Sequence, residues 1–149
     1  TELIMDLLEE RRHSLVLFQW RHQRDLLVAA AKKRGWEVAV IDGDTPDAVR
    51  PQIVRDFQAG KYKAIFAHPK SAGHGLTLTR GTTTIWASPT WSSELFVQAN
   101  ARIHRKGQTE RTETIMINAE DTVDREVYER LGGKLHAMEL ILSLMEMAR

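Results

Sequence analysis

The stretch AIFAHPKSAGHGLTLT, residues 64–79, decides how the rest of the chain is read. It opens on a near-continuous apolar run rather than an alternating one. Such runs belong to strands covered on both faces, as in a parallel sheet. It then enters a loop with Gly73 and Gly75, where the backbone can turn tightly and approach a ligand. A glycine loop straight after a buried strand points to an α/β layer protein whose ligands gather at the carboxyl ends of its strands.

Four more segments read as strands: SLVLFQ (14–19), EVAVID (37–42), TTTIWAS (82–88) and TETIMINA (112–119). Helical patterns lie between them. RHQRDLLVAAAKKRG (21–35) carries Leu26, Leu27, Ala30 and Ala31 at helical spacing and stops at Gly35. DAVRPQIVRDFQAG (47–60) sets Ile53, Val54 and Phe57 on one face, and Pro51 means that this helix either begins there or is kinked there. WSSELFVQANARIHR (91–105) is a third helix, with Ser92 or Ser93 as N-cap. The first thirteen residues read as an amphipathic helix. Residues 122–149 read as a long helix with apolar positions every three or four residues, a packing helix or a docking face. This β-α alternation, joined by right-handed crossovers, predicts an α/β layer fold.

The 149 residues suit one domain, and the net charge of +1 means that any nucleic-acid contact must come from a local patch. Cysteine is absent, which excludes disulfides and thiol catalysis. No two histidines stand four apart, so no metal site is expected. There is neither an apolar run long enough to span a membrane nor a secretory signal. An intracellular, cytoplasmic protein is the expectation.

Two segments carry candidate chemistry. In the glycine loop, Lys70 adds a cation, and Ser71 and Thr77 add hydroxyls. Such a loop can touch phosphate through backbone N–H groups, though an ordinary loop has the same composition. The second segment is QANARIHRKGQ (98–108). On a helix, Arg102 and Arg105 would share a face. They form either a solvated basic helix end or a pair of guanidinium groups for bidentate phosphate contacts. A phosphate-cradling G-x-x-x-x-G-K-[ST] is missing: Gly60–Lys61 is followed by Tyr62, and Gly133–Lys134 by Leu135. The chain can offer arginines to a nucleotide that something else must hold.

Taken in order, these motifs resemble the second RecA-like lobe of superfamily 2 helicase-type ATPases, nearest to the Swi/Snf-like group of DNA translocases. SLVLFQWRHQRDLL is similar to the family's motif IV. Asp42–Gly43, with Arg50 seven residues after the glycine and Phe57 seven after that, matches the following segment. KSAGHGLTLT resembles motif V, with Ala72, His74 and Thr77 where the family often has Gly, Leu and Asn. Gln98, Ala99, Arg102, His104, Arg105, Gly107 and Gln108 all match motif VI, Q-A-x-x-R-x-H-R-x-G-Q. TVDREVYERL (122–131) resembles a further family segment.

The resemblance implies a three-layer α-β-α sandwich with a mostly parallel sheet. Residues 1–13 would end the connection between lobes, 14–121 would form the lobe, and 122–149 a C-terminal packing helix. ATP and Mg²⁺ would be held mainly by a first lobe outside this chain, to which Arg105 first and Arg102 second present their charge. Gln98 would orient motif VI or the nucleotide, and Gly73 and Gly75 would couple nucleotide to DNA. Duplex DNA would be touched on phosphate and sugar by Gln19, Trp20, Arg21, Arg50, Lys70, Ser71 and Trp91. The short lobe favours a phage or bacterial motor over a chromatin remodeller. The alternatives are a non-catalytic docking module derived from such a lobe, or an unrelated α/β enzyme that clamps a phosphorylated substrate with the two arginines.

Overall fold

Three of the five apolar runs form strands that are buried at every position: β1 Ser14–Leu17, β3 Ala64–Ala67 and β4 Thr83–Trp86. β2, Val38–Ile41, alternates between half-buried and buried, and β5, Glu113–Met116, is largely exposed. The sheet order β2-β3-β1-β4-β5 explains this gradient, since the fully buried strands are the inner ones. Every pairing is parallel. The structure, a computed structural model, describes residues 1–72, 76–117 and 129–133. Its helices are α1 Glu2–Glu9, α2 Arg21–Lys33, α3 Arg50–Gln58, α4 Pro69–Ala72 and α5 Ser93–Asn100.

Alternate strand residues face opposite layers. Leu15, Leu17, Ile41, Ile65 and Trp86 pack with Phe57 of α3 and with Phe96 and Ala99 of α5. Val16, Phe18, Phe66 and Ile85 pack on the other side with Ile4, Met5 and Leu8 of α1 and Leu27 and Ala31 of α2. The result is the expected three-layer α-β-α sandwich. The chain moves one way along the sheet from β1 to β2 and the other way at each later step. Right-handed crossovers therefore put α2 on one face and α3, α4 and α5 on the other. The loops on either side of the β1 carboxyl end part towards opposite faces, which is where such sheets open a ligand crevice.

The structure fixes several element boundaries. Pro51 lies in the first turn of α3, so the helix begins there and is not kinked. α5 is capped by the Ser92 hydroxyl, which accepts from the Leu95 N–H at 3.2 Å, but it ends at Asn100 instead of running to residue 105. α1, within the first thirteen residues, buries Ile4, Met5 and Leu8 against the sheet. Most of the 122–149 pattern lies outside the described residues. Within it, residues 129–133 are helical and Leu131 joins the core.

The carboxyl end of β2 is pinned by charge. Arg24 Nη1 donates to Asp42 Oδ2 at 2.7 Å, and the Asp44 N–H and Thr45 hydroxyl donate to Oδ1 at 3.0 and 3.3 Å. Burial alone would raise the Asp42 carboxyl pKa. The hydrogen bonds from Arg24, Asp44 and Thr45, with the Arg24 charge, outweigh it and hold the group below its usual range. The stabilisation is therefore full above about pH 4 and is lost as the pH falls through the lowered value. Urea unfolding of wild type and Asp42→Asn should show a stability gap at neutral pH that narrows on acidification. A gap independent of pH would contradict the pairing.

Packing is close around Gly81. A methyl group there would lie 3.0 Å from Ile103 Cδ1, 3.1 Å from Phe57 Cζ and 3.3 Å from the Leu78 carbonyl oxygen. Gly81→Ala should cost about 1–3 kcal/mol of stability by denaturant unfolding. An unchanged midpoint would show that this contact yields freely.

Candidate functional site

The chain leaves α5 at Asn100 and passes through a series of turns, so Arg102 and Arg105 sit on an irregular segment and not on one helix face. What ends the helix is tertiary. The Trp86 indole Nε1 donates to Asn100 Oδ1 at 2.9 Å, and Ile103 is drawn into the core. Gly107, at φ +100°, then supplies a backbone geometry that a side chain would resist.

The arginine turn is fastened to the segment that follows the glycine loop. The Leu78 N–H donates to the Arg102 carbonyl at 2.9 Å, and Arg105 Nη1 donates to the Leu76 carbonyl at 3.1 Å. Arg102 Nε donates back to the Gln98 carbonyl at 2.8 Å. The Gln108 amide lies 3.0–3.1 Å from the carbonyls of Thr79, Gly81 and Ile103, while its oxygen accepts from the Glu110 N–H. Gln98 is half-buried, and its side-chain amide donates to Glu94 at 3.1 Å. Gly73 and Gly75 lie outside the described residues.

The electrostatics of this turn are unusual for a protein surface. Burial, and then the neighbouring Arg105 charge, lower the Arg102 pKa, yet a guanidinium stays charged at neutral pH. Among the described residues, neither Arg102 nor Arg105 forms an ion pair; both donate only to backbone carbonyls. Arg34, by contrast, is surrounded by Glu2, Asp6 and Glu9 at 3.0–3.3 Å. Two adjacent cations without a counter-charge suit a multiply charged anion. No group of three His, Cys, Asp or Glu among the described residues could hold a metal ion.

The carboxyl edge of the sheet carries the remaining candidates. Trp20 is 69% exposed and Trp91 52%, with the Arg130 guanidinium 5.6 Å over the Trp91 ring. Arg21 is exposed and pairs with Asp44 at 3.2 Å; Lys70 is exposed. Two expected surface contacts are turned inward. Ser71 is buried in α4, which withdraws its side chain from the surface. Arg50 folds back from the start of α3, where its Nη2 donates to the Asp42 carbonyl at 2.9 Å and the guanidinium approaches the Thr45 carbonyl and Asp47. It braces the 42–47 loop. Gln19 Nε2 is buried without a hydrogen-bond partner. Gln108 was singled out only as part of its motif, and the sequence offered no sign of a role for Gln23, whose amide donates to the Ala87 carbonyl 64 residues away.

Comparison with known proteins agrees with this layout. The family model for the helicase conserved C-terminal domain matches residues 1–107. Putative protein p41 of Acyrthosiphon pisum secondary endosymbiont phage 1 is 33% identical over 138 residues, which is 89% of this chain and 28% of p41. The ATP-dependent DNA helicase DDM1 of Arabidopsis thaliana is 26% identical over 142 residues, 94% of this chain and 19% of DDM1. The chain thus spans less than a third of either relative. A crystal structure of the C-terminal part of the Fun30 ATPase domain superposes with a TM-score of 0.78 at 17% identity, covering 86% of this chain and 43% of that one. At that identity the likeness speaks for the fold, a RecA-like lobe. The chain belongs to the family of helicase conserved C-terminal domains.

Proposed function

We propose that this chain is the second motor lobe of an ATP-dependent DNA translocase of the Swi/Snf-like group. In this reading it presents Arg105 and Arg102 to the γ-phosphate of ATP bound, with Mg²⁺, on a first lobe elsewhere in the protein. The observation that carries the reading is the pair of guanidinium groups that have no ion-pair partner among the described residues and are held by backbone carbonyls, in a chain with no phosphate-cradling motif of its own.

Phosphoryl transfer spreads negative charge over the transferring oxygens, and a cation already in position there lowers the barrier without rearrangement. Arg105 is exposed and suits direct contact. Arg102 is half-buried and tied to the Gln98 carbonyl, so it reaches less far but is better oriented. Closure of the lobes brings both to the nucleotide. The bonds from Leu78 to Arg102 and from Arg105 to Leu76 tie this turn to residues 76–81, downstream of Gly73 and Gly75. Motion at the nucleotide is thereby passed towards the carboxyl edge, where Trp20, Arg21, Lys70 and Trp91 face the DNA backbone and Gln19, its amide nitrogen buried, shapes the turn that carries Trp20 and Arg21. Arg50 and Ser71 contribute from behind that surface, by bracing and packing.

In the full-length protein, Arg105→Ala should lower DNA-stimulated ATP turnover by on the order of 10³-fold, with Arg102→Ala also severe. Near wild-type turnover for Arg105→Ala would overturn the assignment. The purified 149-residue chain should not hydrolyse ATP by itself; clear turnover, free of contaminating ATPase, would mean that it carries a nucleotide site of its own.

A further inference from the structure

The ladder between the two central strands ends just where the proposed DNA-facing loops begin. Its last rung is the Ala87 N–H donating to the Leu17 carbonyl at 2.9 Å. Beyond it, one chain turns through Gln19 and Trp20 into α2, and the other runs through residues 88–92 towards α5 on the opposite face. Gln23, half-buried in the first turn of α2, spans this gap. Its Oε1 accepts from the Gln19 N–H at 3.3 Å and from the Ser88 hydroxyl at 3.1 Å, and its Nε2 donates to the Ala87 carbonyl at 3.3 Å. The orientation of this amide is fixed by its surroundings. Flipping it would set an NH₂ against the Gln19 N–H and an oxygen against the Ala87 carbonyl.

We propose that Gln23 is a positioning residue for DNA engagement. It holds the Gln19–Trp20–Arg21 turn and the Ser88–Trp91 loop at one spacing, so that side chains on both meet the nucleic-acid backbone together. The inference rests on the reading of the carboxyl edge as DNA-facing. Each bond is at the long end of the usual range, so the clamp works by sum and not by any single contact. The state of Gln19 agrees with a turn held ready for a ligand. Its backbone N–H is fixed by Gln23 while its own Nε2 is buried with no acceptor, a rare condition in a folded protein. The clamp thus holds the turn with one donor still unpaired among the described residues.

The test is ATP turnover of the full-length protein against the concentration of a blunt DNA duplex. Gln23→Met keeps the side-chain length and removes all three bonds. It should raise the DNA concentration for half-maximal stimulation roughly five- to tenfold, with turnover at saturating DNA kept within about twofold. Ser88→Ala, which removes one bond with little change in volume, should shift it in the same direction by less. A simple packing role would instead lower the melting temperature and the saturated turnover without moving the half-maximal DNA concentration, and that result would overturn the inference. Trp20→Ala separates the two levels. If it raises the DNA requirement and Gln23→Met does not, the clamp is wrong and the DNA-facing edge stands. If neither does, the edge reading fails and the inference falls with it.

Discussion

Two guanidinium groups held side by side repel each other, and the 98–108 turn opposes that repulsion without cancelling it. A carboxylate beside Arg102 or Arg105 would stabilise the pair more strongly, as Glu2, Asp6 and Glu9 do around Arg34. It would also use up the charge. Backbone carbonyls from Gln98 and Leu76 orient the groups through partial charges and leave the net positive charge in place. Burial adds to the cost, since the Arg102 pKa is lowered first by desolvation and then by Arg105. Two cations with no counter-charge among the described residues favour the arrival of an anion, which in the proposed function is a nucleotide held elsewhere.

The sheet makes this possible by fixing two backbone segments against each other. Trp86 is buried, stacks on Phe96 and bonds to Asn100, so β4 sets where α5 ends. Gln108 then gathers the carbonyls of Thr79, Gly81 and Ile103 around one amide. The close approach at Gly81 leaves no room for slack between Phe57 and Ile103. The arginine turn and the segment after the glycine loop are therefore fastened into one piece, as the proposed coupling of nucleotide to DNA requires.

Much of the architecture was legible because apolar runs without alternation can only be satisfied by strands covered on both sides. β1, β3 and β4 read clearly for that reason. The Ser92 cap and the start at Pro51 are local chemistry, and local chemistry is visible in a sequence. The end of α5 was not. QANARIHR has no glycine or proline to stop a helix, and the stop comes from Trp86 and from the burial of Ile103. Arg50 and Ser71 were expected on the DNA face because sequence fixes a residue's type and not its direction. Arg50 bends back onto carbonyls of the preceding loop, and Ser71 faces the core. Gln23 left no trace, since two of its three bonds cross 64 or 65 residues of chain. The arginines were singled out through their flanking motif, while the lack of a counter-charge among the described residues became visible only in three dimensions.

The central claim is that Arg105 recognises the transition state more than the ground state. The most direct measurement compares, in the full-length protein with and without Arg105→Ala, the affinity for ATP with that for ADP–aluminium fluoride, a mimic of the transferring phosphoryl group. The account predicts that Arg105→Ala weakens binding of the mimic by more than about tenfold beyond any loss for ATP. Equal losses for the two ligands, or no loss for either, would contradict it.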